Sequence, residues 1–251
     1  MSELSQNLSR PKLSDAISAL RIRDFRRFWF AGLASNSGGW LQGIASPFIM
    51  YEMTESGAWV GASVFALMIP MAIVGPFAGP MADRLSRRKI LLVCEVLLAT
   101  IAISNAFLWW AGVREPLVYV AVNVIYGIGN GYALPAWQAY VADLVPREFL
   151  MNAITLNSTQ FNAARAIGPS IGGVVLAVLG PAWAFLGNGI SFLVVFCTLL
   201  TLPRTLSSPL ASRTDSQLSQ FAKGWAYART QPTIMTGYLA ATFVAILGGP
   251  L

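Results

Sequence analysis

The chain alternates apolar runs of membrane-crossing length with short charged turns, an arrangement that no soluble core can bury. A bilayer core about 30 Å thick takes roughly 20 apolar residues per helix. Six runs reach that length, at residues 28–50, 59–81, 90–111, 117–141, 151–179 and 182–202. Hydrophobic residues make up 55% of the 251 and charged residues 11%, and mean hydropathy is +0.60, too apolar for a soluble domain of this size. The expected fold class is an all-α membrane protein.

A net charge of +6 raises the question of nucleic acid, but the cations are confined to segments between spans, which is the pattern of membrane orientation. No nucleic-acid partner is expected. Six cations precede the first span, four lie between the second and third, one between the fourth and fifth, and four follow the sixth. That puts fifteen of 17 on one side, with Arg114 on the other and Arg165 inside a span. The positive-inside rule makes the rich side cytoplasmic, and the amino terminus with it. The chain has no His, so Ser-His and Cys-His pairs are excluded, and no Gly-x-x-x-x-Gly-Lys-Ser/Thr loop is present for nucleotide. Neither a hydrolase nor an ATP-driven pump is expected, nor any catalytic residue, metal or cofactor. Cys94 and Cys197 lie inside spans, where cysteine is a small packing residue.

Residues 1–27 read as a cytoplasmic segment. Over 15–27, Arg21, Arg23, Arg26 and Arg27 alternate with Ile17, Leu20, Ile22 and Phe25, which predicts a short helix on an anionic membrane surface. A cleavable signal peptide competes, but the apolar run that follows is long and recurs downstream. In the first span Ser35, Gly39, Gln42 and Ser46 form a small or polar strip on one face, which must look at protein or water. The second carries Pro70, Pro76 and Pro80. The third has Glu95 less than two turns inside and ends in Trp109 and Trp110, expected at the interface.

In the fourth span Asn123, Tyr126, Asn130 and Trp137 share a face, and Gly127 with Gly131 makes a pair for close helix contact. In the fifth, Thr155, Ser158, Asn162 and Arg165 recur at helical spacing, with Pro169 and Gly172 following, while Ala164, Gly168 and Gly172 make a second face of small residues. Arg165 falls near mid-membrane, where an arginine costs at least about 2.5 kcal/mol and must face a cavity or a partner. Residues 203–233 form a polar loop, with Trp225 and Tyr227 suited to the membrane surface, and 234–251 begin a seventh span that looks truncated.

The turn at 79–89 reads Gly-Pro-Met-Ala-Asp-Arg-Leu-Ser-Arg-Arg-Lys. As a plain sequence it is a solvated, positive-inside loop. Through Gly79, Ala82, Asp83, Arg84, Arg87 and Arg88 it also resembles the major facilitator superfamily signature Gly-x-Leu-Ala-Asp-Arg-x-Gly-Arg-Arg/Lys. Met81 stands where Leu is usual and Ser86 where the second Gly is usual. The resemblance implies a cytoplasmic gate, Asp83 facing a helix of the second half of the transporter. Gly168, Pro169, Gly172 and Gly173 read Gly-Pro-x-x-Gly-Gly, similar to the fifth-helix motif of the exporter branch, though helix packing alone would also explain the pattern. The wider stretch 157–173 resembles the subgroup containing the enterobactin and macrolide exporters.

Over residues 19–251 the resemblance implies the six-helix N-terminal half of a bundle built from 3+3 inverted repeats, plus part of a seventh helix. It implies a secondary exporter of a small amphipathic drug or siderophore in the cell membrane, with proton antiport as the coupling the family suggests, partnered by the lipid bilayer and a missing C-terminal half. The expected substrate cavity uses Asn36, Gln42, Asn130, Asn162 and Arg165. Proton exchange needs a carboxylate inside the membrane, and Glu95 is the acid well within a span. Relatives carry an acidic or polar residue before the first-helix Trp, where this chain has Gly39 before Trp40, and the superfamily's fourth-helix arginine is absent from residues 126–131. An uptake permease of the same superfamily and a non-transporting membrane subunit or fragment stay open as alternatives.

Overall fold

In the computed structural model the described residues are 17–203, 226–227, 229–231, 235–237 and 240. The polar residues 1–14, most of the loop at 203–233 and most of the seventh span fall outside them. Residues 1–207 form one unit and 208–251 a second. The described residues of the second unit are helical apart from Gln231, whose carbonyl accepts from the Met235 N–H at 3.1 Å.

The first unit is built from six long helices: α1 (Arg23–Thr54), α2 (Gly57–Arg84), α3 (Arg87–Trp110), α4 (Pro116–Asp143), α5 (Leu150–Leu179) and α6 (Pro181–Thr201). Five of them, α2 to α6, are long and apolar enough to cross a membrane. Helix α1 has the length, 32 residues, but is interrupted by its Ser, Asn and Gly strip. Pro116 and Pro181 open α4 and α6 at positions whose N–H would have no partner in the helix.

The helices extend past the apolar runs by up to five residues, because backbone pairing continues where long charged side chains reach water. The separate surface helix expected over 15–27 does not form across its described part. Ser18–Arg21 is a 3-10 turn and Arg23 already begins α1. The turn is docked rather than lipid-facing: Ala19 is fully buried, its N–H donates to Asn152 Oδ1 at 2.8 Å, and Phe25 and Phe28 enter the core. At the end of α3 Trp109 is buried with the Arg114 guanidinium 3.6 Å above its ring, while Trp110 is exposed beside Trp183.

Helix pairing follows a pattern. Helix α2 packs chiefly on α4, α1 on α5 and α6, and α3 on α6 and α4. Exchanging α1–α3 with α4–α6 maps this set of pairs onto itself, which is the signature of two inverted three-helix repeats. Close approach needs missing side chains at two crossings. A Cβ on Gly127 would strike the Leu67 carbonyl oxygen of α2, and one on Gly168 would lie 2.5 Å from the Trp40 ring of α1.

The core divides along the bundle. One apolar cluster fills the arginine-rich end, around Phe25, Phe28, Leu91, Tyr140 and Leu199. Another fills the opposite end, around Ile49, Met50, Trp109, Tyr119 and Phe185. Between them lies a polar layer centred on Asn188, which is fully buried. Its amide donates to Gln42 Oε1 at 2.7 Å and to the Tyr126 hydroxyl at 3.3 Å, and Asn123 beside it donates to Ser46 Oγ at 3.0 Å. Replacing Asn188 with Leu removes the amide donor to the buried Gln42 Oε1. Thermal unfolding in detergent is expected to show a loss of about 1–3 kcal/mol, against no change for a lipid-facing substitution such as Val178→Leu.

Candidate functional site: a polar cavity in the arginine-rich half

A cavity of about 420 Å³ opens between α1, α3, α4, α5 and α6. Helix α1 contributes Asn36, α3 Glu95, α4 Asn130 and Trp137, and α5 Phe161 and Asn162. At 1.5 Å per residue Glu95 sits about 12 Å along α3 from its basic end, and Asn162 about 18 Å along α5, so the cavity reaches from that end towards the midplane.

Three of the expected cavity residues, Asn36, Asn130 and Asn162, therefore come together, joined by Glu95. Gln42 does not join them. It lies six residues beyond Asn36, about 9 Å further along α1, where Asn188 captures its amide. There it lines a second, smaller cavity of about 80 Å³ with Ser46, Ser63, Asn123 and Tyr126. Arg165 is exposed on α5 and does not line either cavity. Its helical face was readable, but it stands one turn past Asn162, beyond the cavity wall.

Glu95 is only 3% exposed, and its Oε2 is sealed from solvent with no hydrogen-bond partner among the described residues. The amides around it are held by the backbone. Asn130 Nδ2 donates to the Tyr126 carbonyl at 3.1 Å and Asn162 Nδ2 to the Ser158 carbonyl at 2.9 Å, each one turn back on its own helix. Trp137 Nε1 donates to Asn157 Oδ1 at 3.1 Å, which fixes the indole as a wall. Asn157, Gln138 and the buried Gln160 were missed by sequence reasoning. Gln160 Nε2 donates to the Trp29 carbonyl, Trp29 Nε1 to the Leu156 carbonyl at 3.0 Å, and so α1 and α5 are laced together beside the cavity. An amide inside an apolar run is a signal in itself, and Asn188 carried the same one.

The motif turn lies at the basic end. Arg87 holds three helices: Nη1 lies 2.5 Å from Asp143 Oδ1 at the end of α4, Nη2 lies 3.7 Å from Asp83 on α2, and the guanidinium also reaches the Ala82 and Ala139 carbonyls. Arg88 is buried and donates to the Leu199 and Leu200 carbonyls at 2.7 and 3.1 Å, closing the negative end of α6. Arg84 is exposed, and Gly79 has open space around it. The Asp83 side chain stays 69% exposed. Ser86 sits at φ −61°, ψ 113°, an extended conformation open to any residue, so the missing second glycine imposes no strain. Of the helix α5 motif, Gly168 and Gly172 face α1 at Trp40 and Ile44, Pro169 is half-buried within the helix, and Gly173 faces open space.

Known proteins resemble this sequence. A family model described as "Transmembrane secretion effector", one of the MFS models, matches residues 14–247. The chain is 24% identical over 217 residues to the uncharacterized MFS-type transporter YfiS of Bacillus subtilis, covering 84% of this chain and 50% of that protein. It is 27% identical over 178 residues to multidrug resistance protein 1 of Bacillus subtilis, covering 71% and 44%. It is 28% identical over 176 residues to the staphyloferrin A transporter of Staphylococcus aureus, covering 66% and 42%. The chain thus spans about half the length of the curated relatives it matches. The family and these relatives are transporters rather than enzymes. A helical bundle with inverted repeats, a cavity at the repeat junction and a match over nearly its whole length mean that the chain is a multi-pass membrane protein belonging to the transmembrane secretion effector family of major facilitator superfamily transporters.

Proposed function

We propose that the protein exports a small amphipathic molecule, a drug or a siderophore, by proton antiport through alternating access. The observation that carries this is the cavity: a concave, partly apolar space at the junction of the two repeats, lined by Asn36, Asn130 and Asn162 and holding one buried carboxylate. The three amides contact substrate, and Glu95 exchanges the proton. The names of two relatives, multidrug resistance protein 1 and staphyloferrin A transporter, support this substrate range, as does the likeness of residues 157–173 to the enterobactin and macrolide exporters. Asp83 and Arg84, exposed beside the Arg87 clasp, supply the gate contact to a complementary six-helix half. The distribution of Lys and Arg supports an amino terminus in the cytoplasm and a place in the cell membrane.

The test is efflux of preloaded fluorescent dyes and of a ferric-siderophore ligand from energised cells that express the protein from its complete reading frame. Efflux that collapses with a protonophore supports proton-driven export. Uptake of the same compounds identifies a permease instead, and no movement in either direction identifies a non-transporting membrane subunit.

A further inference from the structure

Helix α5 exposes two faces of different character. Ile167, Ile171, Val174 and Val178 form one, which suits lipid tails. Thr155, Ser158, Asn162 and Arg165 are exposed on the other. At about 100° per residue the two sets lie more than a right angle apart, so the polar face is not the lipid face. Two of its members are satisfied by their own helix: Thr155 Oγ1 donates to the Met151 carbonyl and Asn162 Nδ2 to the Ser158 carbonyl, each at 2.9 Å. Arg165 has no ion pair and no hydrogen bond with any described residue.

Arg165 stands near the middle of α5, about 21 Å from either end at 1.5 Å per residue. A bilayer core about 30 Å thick then leaves it about 15 Å from water and from phosphate headgroups. Three methylenes do not let a guanidinium snorkel that far. Such a charge must meet an anion within the membrane. The cavity does not supply one, because Ser158 and Asn162 line it and Arg165 does not. Glu95 is buried in the cavity wall and forms no pair with Arg165, and residues 234–251 contain no Asp or Glu. The chain covers 50% and 44% of two relatives that match it, so in proteins of this kind as much sequence again lies outside the matched region.

We propose that Arg165 pairs, inside the membrane, with an Asp or Glu on a spanning helix of the complementary six-helix half, and that this helix covers the polar face of α5. The proposal rests on the reading above that such a half exists. The hydroxyls and the amide of the face, satisfied locally, let a helix pack close without specifying where it stops. The single charge does specify it, and fixing register is the best-attested use of a buried ion pair.

The test uses the whole protein from its complete reading frame, in lipid nanodiscs. Arg165→Gln is expected to lower the thermal unfolding midpoint by about 5 °C, because the partner carboxylate is left buried and alone, while Arg165→Lys keeps most of the midpoint. Each acid within a spanning helix of the other half is then changed to its amide, alone and with Arg165→Gln. One of them is expected to match the loss caused by Arg165→Gln, with the double variant no lower than the worse single. A second measurement is independent of any destabilised variant. A membrane-permeant carbodiimide joins the amine introduced by Arg165→Lys to a carboxylate in contact with it, and mass spectrometry is expected to find the peptide containing position 165 linked to an acidic peptide of the other half. Four results overturn the proposal: no acid in the spanning helices of that half, losses that add for every acid, an unchanged midpoint in Arg165→Gln with or without loss of substrate binding, or no cross-linked product. Efflux decides the wider reading separately. A protein that exports dye without the pair remains a transporter and refutes the contact, whereas the pair without efflux keeps the contact and refutes export.

Discussion

Gly127→Ala is expected to lower the stability of the bundle by about 1–3 kcal/mol, the range for a group forced into a packed core. The new methyl would fall on the Leu67 carbonyl oxygen, with the carbonyl carbon 3.0 Å away. Neither atom belongs to a side chain that can change rotamer, so α2 and α4 must part along the crossing they share. The control has the opposite sign. Gly79 and Gly173 have nothing within 4 Å of the same added methyl, and removing a helical glycine's excess freedom stabilises by roughly 0.5–1 kcal/mol. Thermal unfolding midpoints of the three variants in one detergent decide the matter, and a common shift would refute the crossing as the cause.

Glu95→Gln is expected to reduce proton-driven efflux to the level seen with a protonophore, while leaving the fold at least as stable. The amide has nearly the shape of the acid and cannot gain or lose a proton, so a coupling role is removed without a change in packing. Stability should hold or rise, because a buried carboxyl with one oxygen unpartnered gives way to a neutral amide of nearly the same shape. The two measurements belong on one preparation. Loss of efflux together with a lower unfolding temperature would mean that Glu95 holds the bundle together and does not couple transport.

The six helices were legible because membrane thickness fixes how long an apolar run must be. Their ends were less so, since Arg23, Arg84 and Arg87 are helical although charged. The site was half legible. Asn36, Asn130, Asn162 and Glu95 could be picked out as polar groups in apolar runs, and the structure gathers them. Gln42 and Arg165 carried the same signal and went elsewhere, because periodicity gives a face but not the neighbour opposite it. Asn188 shows the converse: the amide that centres the polar layer stood as a polar group inside the apolar sixth span and was passed over.

Helix α2 has an uneven stiffness along its length. It is seated on α4 where Leu67, Met71 and Val74 meet Gly127 and Gly131, and Pro76 and Pro80 lie between that seat and the Asp83 turn. Each of these prolines deletes a backbone hydrogen bond and weakens the rod at that turn. Pro70 notches the seat itself but is held there against α4, so a push delivered at Asp83 is expected to be taken up first over residues 75–84, where the notched rod has no such seat. The segment that lines the smaller cavity at Ser63 lies on the opposite side of that seat from the Asp83 turn.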